Sequence, residues 1–370
     1  MDLSHDRRVV LTLDAGGTNF VFSAMQGGQE VVAPITLPSR ADDLDTCLDQ
    51  MLRGFSEVRD KCPAPPVALS FAFPGPADYP HGIIGDLPNL PAFRGGVALG
   101  PALEDAFGLP TYINNDGDLF AYGEAIGGFL PYVNGLLEKA GSPKRYRILF
   151  GATFGTGFGG GIVREGQLHI GDNSVAAEIW VMRHKHEHQA NAEEGVSIRA
   201  VRRVYAQRAG VPVESVPEPK EIFRIAKGEV PGDKPAALEA FRMLGEVAGD
   251  SLAQAITLID GLVVIGGGLT GAQELFMPAL VAEMNSTYTN LSGESFPRLA
   301  MRAFNLEDPQ QLEHFLRGEA RELPVPRSSR KVAYDPLQRI GVGISRLGTS
   351  EATAFGAYAF ALKALDAVSR

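Results

Sequence analysis

The sequence has few cysteines, no excess of basic residues and no long apolar run. Cys47 and Cys62 are its only cysteines, and one disulfide could not serve as the framework of a chain of 370 residues. The chain has 34 basic and 44 acidic side chains and a formal net charge of −10, which argues against binding to nucleic acid or to an anionic membrane. No segment has the length and apolarity of a membrane span or of a signal-peptide core, so we expect a cytoplasmic protein.

Two common nucleotide-binding signatures are also missing. The P-loop pattern G-x-x-x-x-G-K-[ST] does not occur, which argues against a P-loop enzyme. Residues 155–161 contain a literal G-x-G-x-x-G, but residues 162–168 resemble a strand and a turn, whereas a dinucleotide fold needs a helix there. We therefore reject NAD binding and interpret this segment as a hairpin whose loop faces a phosphate.

Glycine, in contrast, is abundant, with 43 residues. It clusters directly after short strand-like runs, and such turns let backbone N–H groups approach a ligand closely. Three turns of this kind predict one nucleotide held from several sides. The runs and their glycines are Val9–Leu13 before Gly16 and Gly17, Ile148–Phe154 before Gly155 to Gly161, and Leu262–Ile265 before Gly266 to Gly268.

The first glycine turn lies between two predicted strands. Gly16 and Gly17 would expose backbone donors, the Thr18 hydroxyl would add another, and Asp14 could hold Mg²⁺ beside the phosphates. A tight hairpin with an acidic residue at its start is the alternative interpretation. For Gly266 to Gly268 the alternative is an ordinary turn from strand to helix.

Strands and helices alternate along the chain, which predicts an α/β protein. A basic cluster on one predicted helix, Arg199, Arg202 and Arg203, is interpreted as a solvated face. Residues 285–336 have weak periodicity and are interpreted as a surface insertion with one helix near 309–317. The other predicted helices span about 42–59, 99–107, 119–126, 193–208, 236–258, 273–284 and 351–368, and further strands 20–25, 67–73 and 111–114.

Several motifs occur in a fixed order and together resemble one family, the ROK group of bacterial sugar kinases and repressors. This group belongs to the hexokinase, actin and Hsp70 superfamily, and the similarity covers most of residues 9–362. The motifs are Asp14 to Asn19, Asn115-Asp116 with Gly123-Glu124, Thr156 to Val163, Gly171 with Ala176 to Ile179, Glu193 with Val196-Ser197, Gly266 to Gly268, and Ala354 to Ala357.

The resemblance implies the two-domain actin-like ATPase fold, related to ribonuclease H, with nucleotide and sugar in the cleft between the domains. We expect a small domain from residues 1–117 with 352–370. A large domain would then span 118–351, with the insertion at about 285–336.

The same resemblance implies the site residues. Sugar contacts would fall on Gly75, Asn115, Asp116, Glu178 and Glu193, with Asp116 as the catalytic base. We expect the two glutamates to lie away from the glycine turns and so to affect sugar binding more than nucleotide binding. The nucleotide, ATP with Mg²⁺, would contact Asp14, Gly16, Gly17, Thr18, Asn19, Gly155, Thr156, Gly157, Gly267 and Gly268.

The sequence departs from the family pattern in three places. A histidine that contacts the sugar is replaced by Val181, and the cysteines that bind a structural zinc are missing, so no such zinc is expected. The usual asparagine two residues after the base is Asp118. Residues 129–146 and 285–336 are extra, and no room is left before Asp14 for the DNA-binding segment of the repressors.

Three alternate histidines follow the altered position. His184, His186 and His188 would share one face of an extended strand and could bind a metal. Since no fourth ligand has an obvious spacing, we interpret them as a polar surface segment.

The sequence thus predicts an ATP-dependent hexokinase of the glucokinase type, which we expect to be a homodimer. Its partners would be the hexose and ATP, without nucleic acid or membrane. A non-catalytic sugar or nucleotide sensor on the same fold is the main alternative. An actin-like ATPase or an acetate-kinase-like enzyme is the second alternative, but it would lack the sugar-binding acids Asp116, Glu178 and Glu193.

Overall fold

The computed structural model describes residues 3–16, 18–86 and 91–368. The chain forms two compact units: unit 1 comprises 1–128, 161–177 and 347–370, and unit 2 comprises 129–160 and 178–346. The domain limits expected from the sequence stay a prediction, because compact units need not coincide with the domains of a family. In the described part of the chain, no helix combines the length and apolarity needed to cross a membrane.

Unit 1 contains eight strands and four helices among the described residues. Its strands are β1 (Val9–Ala15), β2 (Asn19–Gln26), β3 (Gln29–Pro38), β4 (Pro66–Ala72), β5 (Ala77–Asp78), β6 (Ile83–Ile84), β7 (Thr111–Asn114) and β10 (Gln167–Leu168), and its helices are α1 (Leu44–Arg59), α2 (Leu99–Phe107), α3 (Asp116–Ile126) and α10 (Thr349–Val368). Five of the strands form a sheet of order β3-β2-β1-β4-β7, in which β1 pairs in parallel with β4 and β4 with β7.

The core of unit 1 follows from the apolar pattern of these elements. Residues Val9 to Leu13 of β1 are buried, and α1 turns Met51 and Phe55 toward the sheet. Phe55 meets Phe22 of β2 edge to face, with ring centroids 5.0 Å apart. This packing fixes the sheet whose strand ends carry the predicted site.

Unit 2 contains the parallel strands β8, β11, β17 and β14, which are neighbours in that order. In unit 1, the carboxyl-terminal part of β9 pairs antiparallel with β10. The elements are α4 (Phe129–Lys139), β8 (Ile148–Phe154), β9 (Phe158–Arg164), α5 (Ile198–Ala209), α6 (Pro219–Lys227), α7 (Lys234–Ile259), β11 (Leu262–Gly266), α8 (Gln273–Met284), β12 (Thr287–Thr289), β13 (Ser295–Pro297), β14 (Arg302–Asn305), α9 (Pro309–Arg317), β15 (Arg321–Pro324), β16 (Lys331–Tyr334) and β17 (Arg339–Ile344).

The segment 285–336 is only partly on the surface. Its helix α9 lies where the sequence predicted one, and its two hairpins, β12-β13 and β15-β16, are mostly exposed. Strand β14, however, forms the edge of the main sheet of unit 2, and Ala303 and Phe304 are buried there. Part of the segment therefore belongs to the core of unit 2.

Candidate active site

Three parallel strands of unit 1 end level with one another. Asp14 of β1 lies opposite Ala72 of β4, and Ala72 lies opposite Asn114 of β7. The pairing extends past the strands, because the N–H of Phe73 donates to the carbonyl of Asn114 at 2.9 Å. The predicted residues Asp14, Gly75, Asn115 and Asp116 therefore all lie at or just after the carboxyl ends of adjacent strands, where open α/β sheets bind ligands.

Asn115 and Asp116 form the junction between β7 and α3. Asn115 is the N-cap of the helix, and its Oδ1 accepts from the N–H of Gly117 at 2.8 Å. The helix therefore begins at Asp116, three residues earlier than the sequence predicted. Asp116 Oδ1 also accepts from the N–H of Gly117, at 2.9 Å, so the carboxylate faces the positive end of the helix dipole.

Asp116 is an exposed residue, although many protein atoms surround its carboxyl. The surrounding protein displaces bulk water and raises the pKa of this carboxyl, and the negative charge of Asp14 contributes to the rise. Hydrogen bonds from the backbone N–H groups of Gly117 and Asp116 oppose the change. A solvent-accessible carboxylate with a raised pKa is suited to accept a proton from a substrate.

The first glycine turn joins β1 to β2. A Cβ at Gly16 would lie 2.8 Å from the carbonyl oxygen of Asn19, so the turn is as tight as the glycine suggests. The carbonyl of Thr18 accepts from the N–H of Ser39 at 2.9 Å, and the side chains of Thr18 and Asn19 are exposed. Gly17 lies outside the described residues.

Gly75 follows β4 and is exposed. Its Cα lies close to a buried phenol, because an added Cβ would be 3.1 Å from the Oη of Tyr79. That hydroxyl donates to the carbonyl of Phe73 at 2.9 Å, so Tyr79 supports the loop after β4 from below.

In unit 2, two glycine turns lie at one edge of the sheet, after the adjacent parallel strands β8 and β11. The first turn is closed by a hydrogen bond from the N–H of Gly155 to the carbonyl of Gly157, at 3.0 Å. Gly267 has a φ of +94°, and a Cβ there would lie 2.2 Å from the carbonyl oxygen of Phe154, at the end of β8. No other residue type fits at Gly267. The backbone of the second turn therefore lies directly against the end of β8, where the first turn begins. The neighbouring Gly268 faces open space.

Glu193 lies beside the first of these turns, and this corrects the expectation that it lies away from them. Its Oε2 accepts from the N–H of Phe158 at 3.1 Å, and its Oε1 accepts from Arg199 at 2.7 Å. Arg199 also donates to the carbonyl of Thr156 at 3.3 Å. A long-range contact of this kind cannot be read from spacing.

The basic cluster on α5 is not a freely solvated face. Arg199 binds the carboxylates of Glu193 and Glu194. Arg203 binds both the carboxylate and the backbone carbonyl of Glu194. Arg202 donates to the carbonyl of Val216 at 2.9 Å. The helix itself begins at Ile198 rather than at Glu193, because Ser197 caps it and residues 192–194 form a separate 3-10 turn.

Glu178 precedes a short 3-10 helix, Ile179–Val181. Its carboxylate accepts a hydrogen bond from the indole N–H of Trp180, a residue that no sequence motif marked. Ile179 is buried, whereas Trp180 and Val181 are exposed. Glu178 and Glu193 both belong to unit 2, whereas the other predicted sugar contacts, Gly75, Asn115 and Asp116, belong to unit 1.

The histidine segment is mostly the polar surface strand or loop that the sequence predicted, since His186 and His188 are exposed, but His184 is not. His184 is buried, and its Nδ1 accepts from the N–H groups of His186 and Glu187 at 3.1 and 3.0 Å. Burial, together with the neighbouring His186, lowers the pKa of His184. Within the described ranges, no three His, Cys, Asp or Glu side chains form a group that could hold a metal ion. Independence from zinc stays a prediction.

A cavity of about 520 Å³ adjoins this segment, lined among others by His184, Arg203 and Met243. None of the site residues predicted from the sequence lines it. Lys185 anchors the segment to two helices, since its Nζ lies 2.6 Å from Glu246 on α7 and 2.6 Å from Glu283 on α8. The segment between Glu178 and Glu193 is thus held by ion pairs.

Comparison with known proteins adds independent information. A model of the ROK family matches residues 10–304. A crystal structure of a glucokinase from Parabacteroides distasonis is 54% identical, with a TM-score of 0.92, and covers 98% of this chain and 99% of that one. An N-acetyl-D-glucosamine kinase from Vibrio vulnificus is 28% identical over 281 residues, or 71% of this chain and 85% of that protein.

A more distant structure is similar in fold alone. A ROK family glucokinase from Streptomyces griseus, solved in complex with glucose and AMPPNP, is 19% identical with a TM-score of 0.59, over 95% of this chain and 98% of that one. The α/β architecture expected from the sequence is confirmed by these matches.

Proposed function

Because the chain belongs to the ROK family, we propose that it transfers the γ-phosphoryl group of ATP to a hydroxyl of a hexose, with Asp116 as the general base. Relatives that match most of the chain are kinases of glucose and of N-acetyl-D-glucosamine, which supports a hexose as the acceptor. A repressor or sensor without chemistry would have no use for a proton acceptor at this position.

The proposal rests on one observation: strands β1, β4 and β7 end at the same level of the sheet. Asp116 and Asp14 therefore lie at one edge of the sheet, and Asp116 is exposed and has a raised pKa. Asp116 would take the proton of the attacking hydroxyl, a role that typically contributes ~10²- to 10⁴-fold to the rate. Asn115 uses its Oδ1 to cap α3, so its amide nitrogen is the group available to a sugar hydroxyl.

The phosphates would be bound mainly by backbone. Phosphoryl transfer depends more on positioning and charge neutralisation than on covalent help from the protein. In unit 1 the turn with Gly16, Thr18 and Asn19 would supply donors, together with Gly17. In unit 2 the turns at Gly155 to Gly157 and at Gly267 and Gly268 would do so, since they lie at one edge of the sheet.

Mg²⁺ fits the acidic side chains of unit 1. It binds proteins through one or two carboxylates and completes its shell with phosphate oxygens and waters. Asp14 is exposed at the end of β1 and close enough to Asp116 to affect its pKa, so it could serve as such a ligand. When bound, the ion would neutralise charge on the transferring phosphoryl group.

Glu178, Glu193 and Gly75 would complete the sugar site, with hydrogen bonds from sugar hydroxyls to the two carboxylates. Glu193 is also bound to Phe158 and Arg199, which fixes its orientation without occupying all its lone pairs. The proposal therefore gives Glu193 a contact with the sugar and a fixed position beside the 155–157 turn.

A coupled ADP-release screen tests the proposal. Hexoses, N-acetylated amino sugars and ketohexoses are each added with ATP and Mg²⁺, and a sample without acceptor serves as the control. We expect ADP release to depend on one of these sugars. Binding of sugar and ATP in calorimetry without ADP release would instead favour the sensor.

We propose further that the protein is a homodimer in the cytoplasm, as expected from the sequence. Sedimentation velocity at several protein concentrations measures the state of assembly. A single species with the mass of one 39.5 kDa chain at all concentrations would contradict the dimer.

A further inference from the structure

Trp180 is the only tryptophan of the chain, and it lies next but one to a proposed sugar-binding acid. Its indole N–H donates a hydrogen bond to the carboxylate of Glu178. A hydrogen bond to a charged acceptor holds that acceptor more firmly than a neutral pair would. Trp180 therefore fixes the orientation of Glu178.

The local backbone turns the indole outward. Ile179 is 1% exposed and anchors the 3-10 helix in unit 2, while Trp180 is 38% and Val181 56% exposed. The residue before Glu178, Ala177, has a φ of +61°, a conformation that costs energy for any side chain other than glycine. Such strain is concentrated at functional sites and here directly precedes the acid and the tryptophan.

The indole of Trp180 is partly exposed. Among the described residues, no aromatic ring and no cationic group stacks on Trp180, although many other rings of the chain are paired. Tryptophan is enriched at interfaces, where its ring supplies a large apolar contact and its N–H a hydrogen bond. The apolar face of a pyranose ring, lined by C–H groups, has the size and polarity to cover an indole beside a carboxylate.

We propose that Trp180 is a sugar-binding and positioning residue that stacks on the apolar face of a hexose while its N–H orients Glu178 toward the hydroxyls. This inference rests on the proposed function, because it takes Glu178 to be a sugar contact. It adds a residue that no motif marked, and it favours hexoses in the pyranose form whose C–H groups share one face.

Fluorescence of the single tryptophan tests the inference in the wild-type protein. We expect the substrate found in the ADP-release screen to change the Trp180 emission with a midpoint near its KM. ADP alone should leave the emission unchanged. If a hexose is phosphorylated but the emission does not respond to it, the inference fails and the proposed function stands. If no hexose binds in calorimetry, both fail.

Two substitutions separate the indole N–H from its ring face. Trp180→Phe keeps a ring but loses the hydrogen bond, and we expect the sugar KM to rise about tenfold, with kcat and the ATP KM within about twofold. Trp180→Ala should raise the sugar KM further. Tyr334→Ala, which removes an exposed aromatic ring on β16, is the matched control and should change neither constant.

Other results would overturn the inference. Equal sugar KM values for the wild type and Trp180→Ala would show that the indole does not touch the sugar. An emission that responds to protein concentration but not to sugar would show that a second copy of the chain covers Trp180.

Discussion

In both main sheets, adjacent parallel strands end at one edge, but the chemical groups at the two edges differ. In unit 1, β1, β4 and β7 are adjacent and parallel, and polar side chains follow them, among them Asp14 and Asp116. In unit 2, β8 and β11 are also adjacent and parallel, but glycines follow them, and the groups presented there are backbone N–H and C=O.

This difference separates two tasks of a kinase. A proton acceptor must be a side chain with an adjustable pKa, and a substitution there should change chemistry without changing the fold. A phosphate needs many donors at close range, which backbone supplies only if no Cβ intervenes. Substitutions at those glycines whose added Cβ would meet the backbone should therefore affect folding and nucleotide binding together.

The largest effect on stability is expected for Gly267→Ala. The added Cβ would approach the carbonyl oxygen of Phe154 to 2.2 Å in a backbone conformation with a φ of +94°. Overpacking and backbone strain together should lower the free energy of unfolding by about 3 kcal/mol. Urea unfolding measures this, with Gly268→Ala as the control, because a Cβ at Gly268 meets no atom within 4 Å. Equal midpoints for the two variants would contradict the account of this edge.

Glu193→Gln should have a smaller effect, on sugar affinity. Glutamine keeps the size of the side chain and can still accept from the N–H of Phe158, but it loses the charge that Arg199 binds and that a sugar hydroxyl would bind in the proposed site. We expect calorimetry to show sugar binding weaker by about 2 kcal/mol and nucleotide binding near that of the wild type. Because Glu193 touches the phosphate turn, a loss mainly in nucleotide binding would assign it to the glycine edge instead.

Asn115→Ala should have the smallest of the three effects, and it concerns stability. It removes the cap of α3 and should lower the free energy of unfolding by about 1 kcal/mol. Asn115→Asp is the matched control, since aspartate caps a helix as well as asparagine does. A stability of Asn115→Ala equal to that of the wild type would show that other groups hold the start of α3.

Much of the fold was predictable because local signals and tertiary structure agree. Strand-like runs before glycines became β1, β8 and β11, and α1 and α2 lie where their apolar spacing indicated. The start of α3 was placed three residues late, because a glycine at position 117 hides the capping by Asn115. The hairpins of residues 287–297 and 321–334 gave little signal, since their strands are short and exposed.

The candidate site was predictable in its motifs but not in its cross-connections. The order of Asp14, Asn115-Asp116 and the glycine turns indicated which residues to expect. The bond from Phe158 to Glu193, the pairing of Arg199 and the contact of Trp180 with Glu178 depend on how distant or irregular segments fold. No periodicity encodes such contacts, so the ion pairs of the basic cluster and the position of Glu193 beside a glycine turn were not predicted.

The central claim is that Asp116 is the proton acceptor, and it has a competing structural explanation as a helix cap. The structure gives the capping role to Asn115, so Asp116→Asn should not destabilise the protein. The pH dependence of stability agrees with this expectation. Because the pKa of Asp116 is raised in the folded state, the protein loses stability as pH rises from the pKa of the unfolded state through that of the folded state. Asparagine does not ionise, so the variant does not lose this stability. The Tm of Asp116→Asn at neutral pH should equal or exceed that of the wild type.

The most direct measurement is kcat as a function of pH for the wild type and for Asp116→Asn. For the wild type we predict that kcat falls toward low pH as the carboxyl takes up a proton, at a pH above the ordinary range of aspartate. For Asp116→Asn we predict a kcat lower by ~10²-fold or more, without this acid limb, in a protein that stays folded and still binds the sugar. A variant with near-normal kcat and the same acid limb as the wild type would contradict the account.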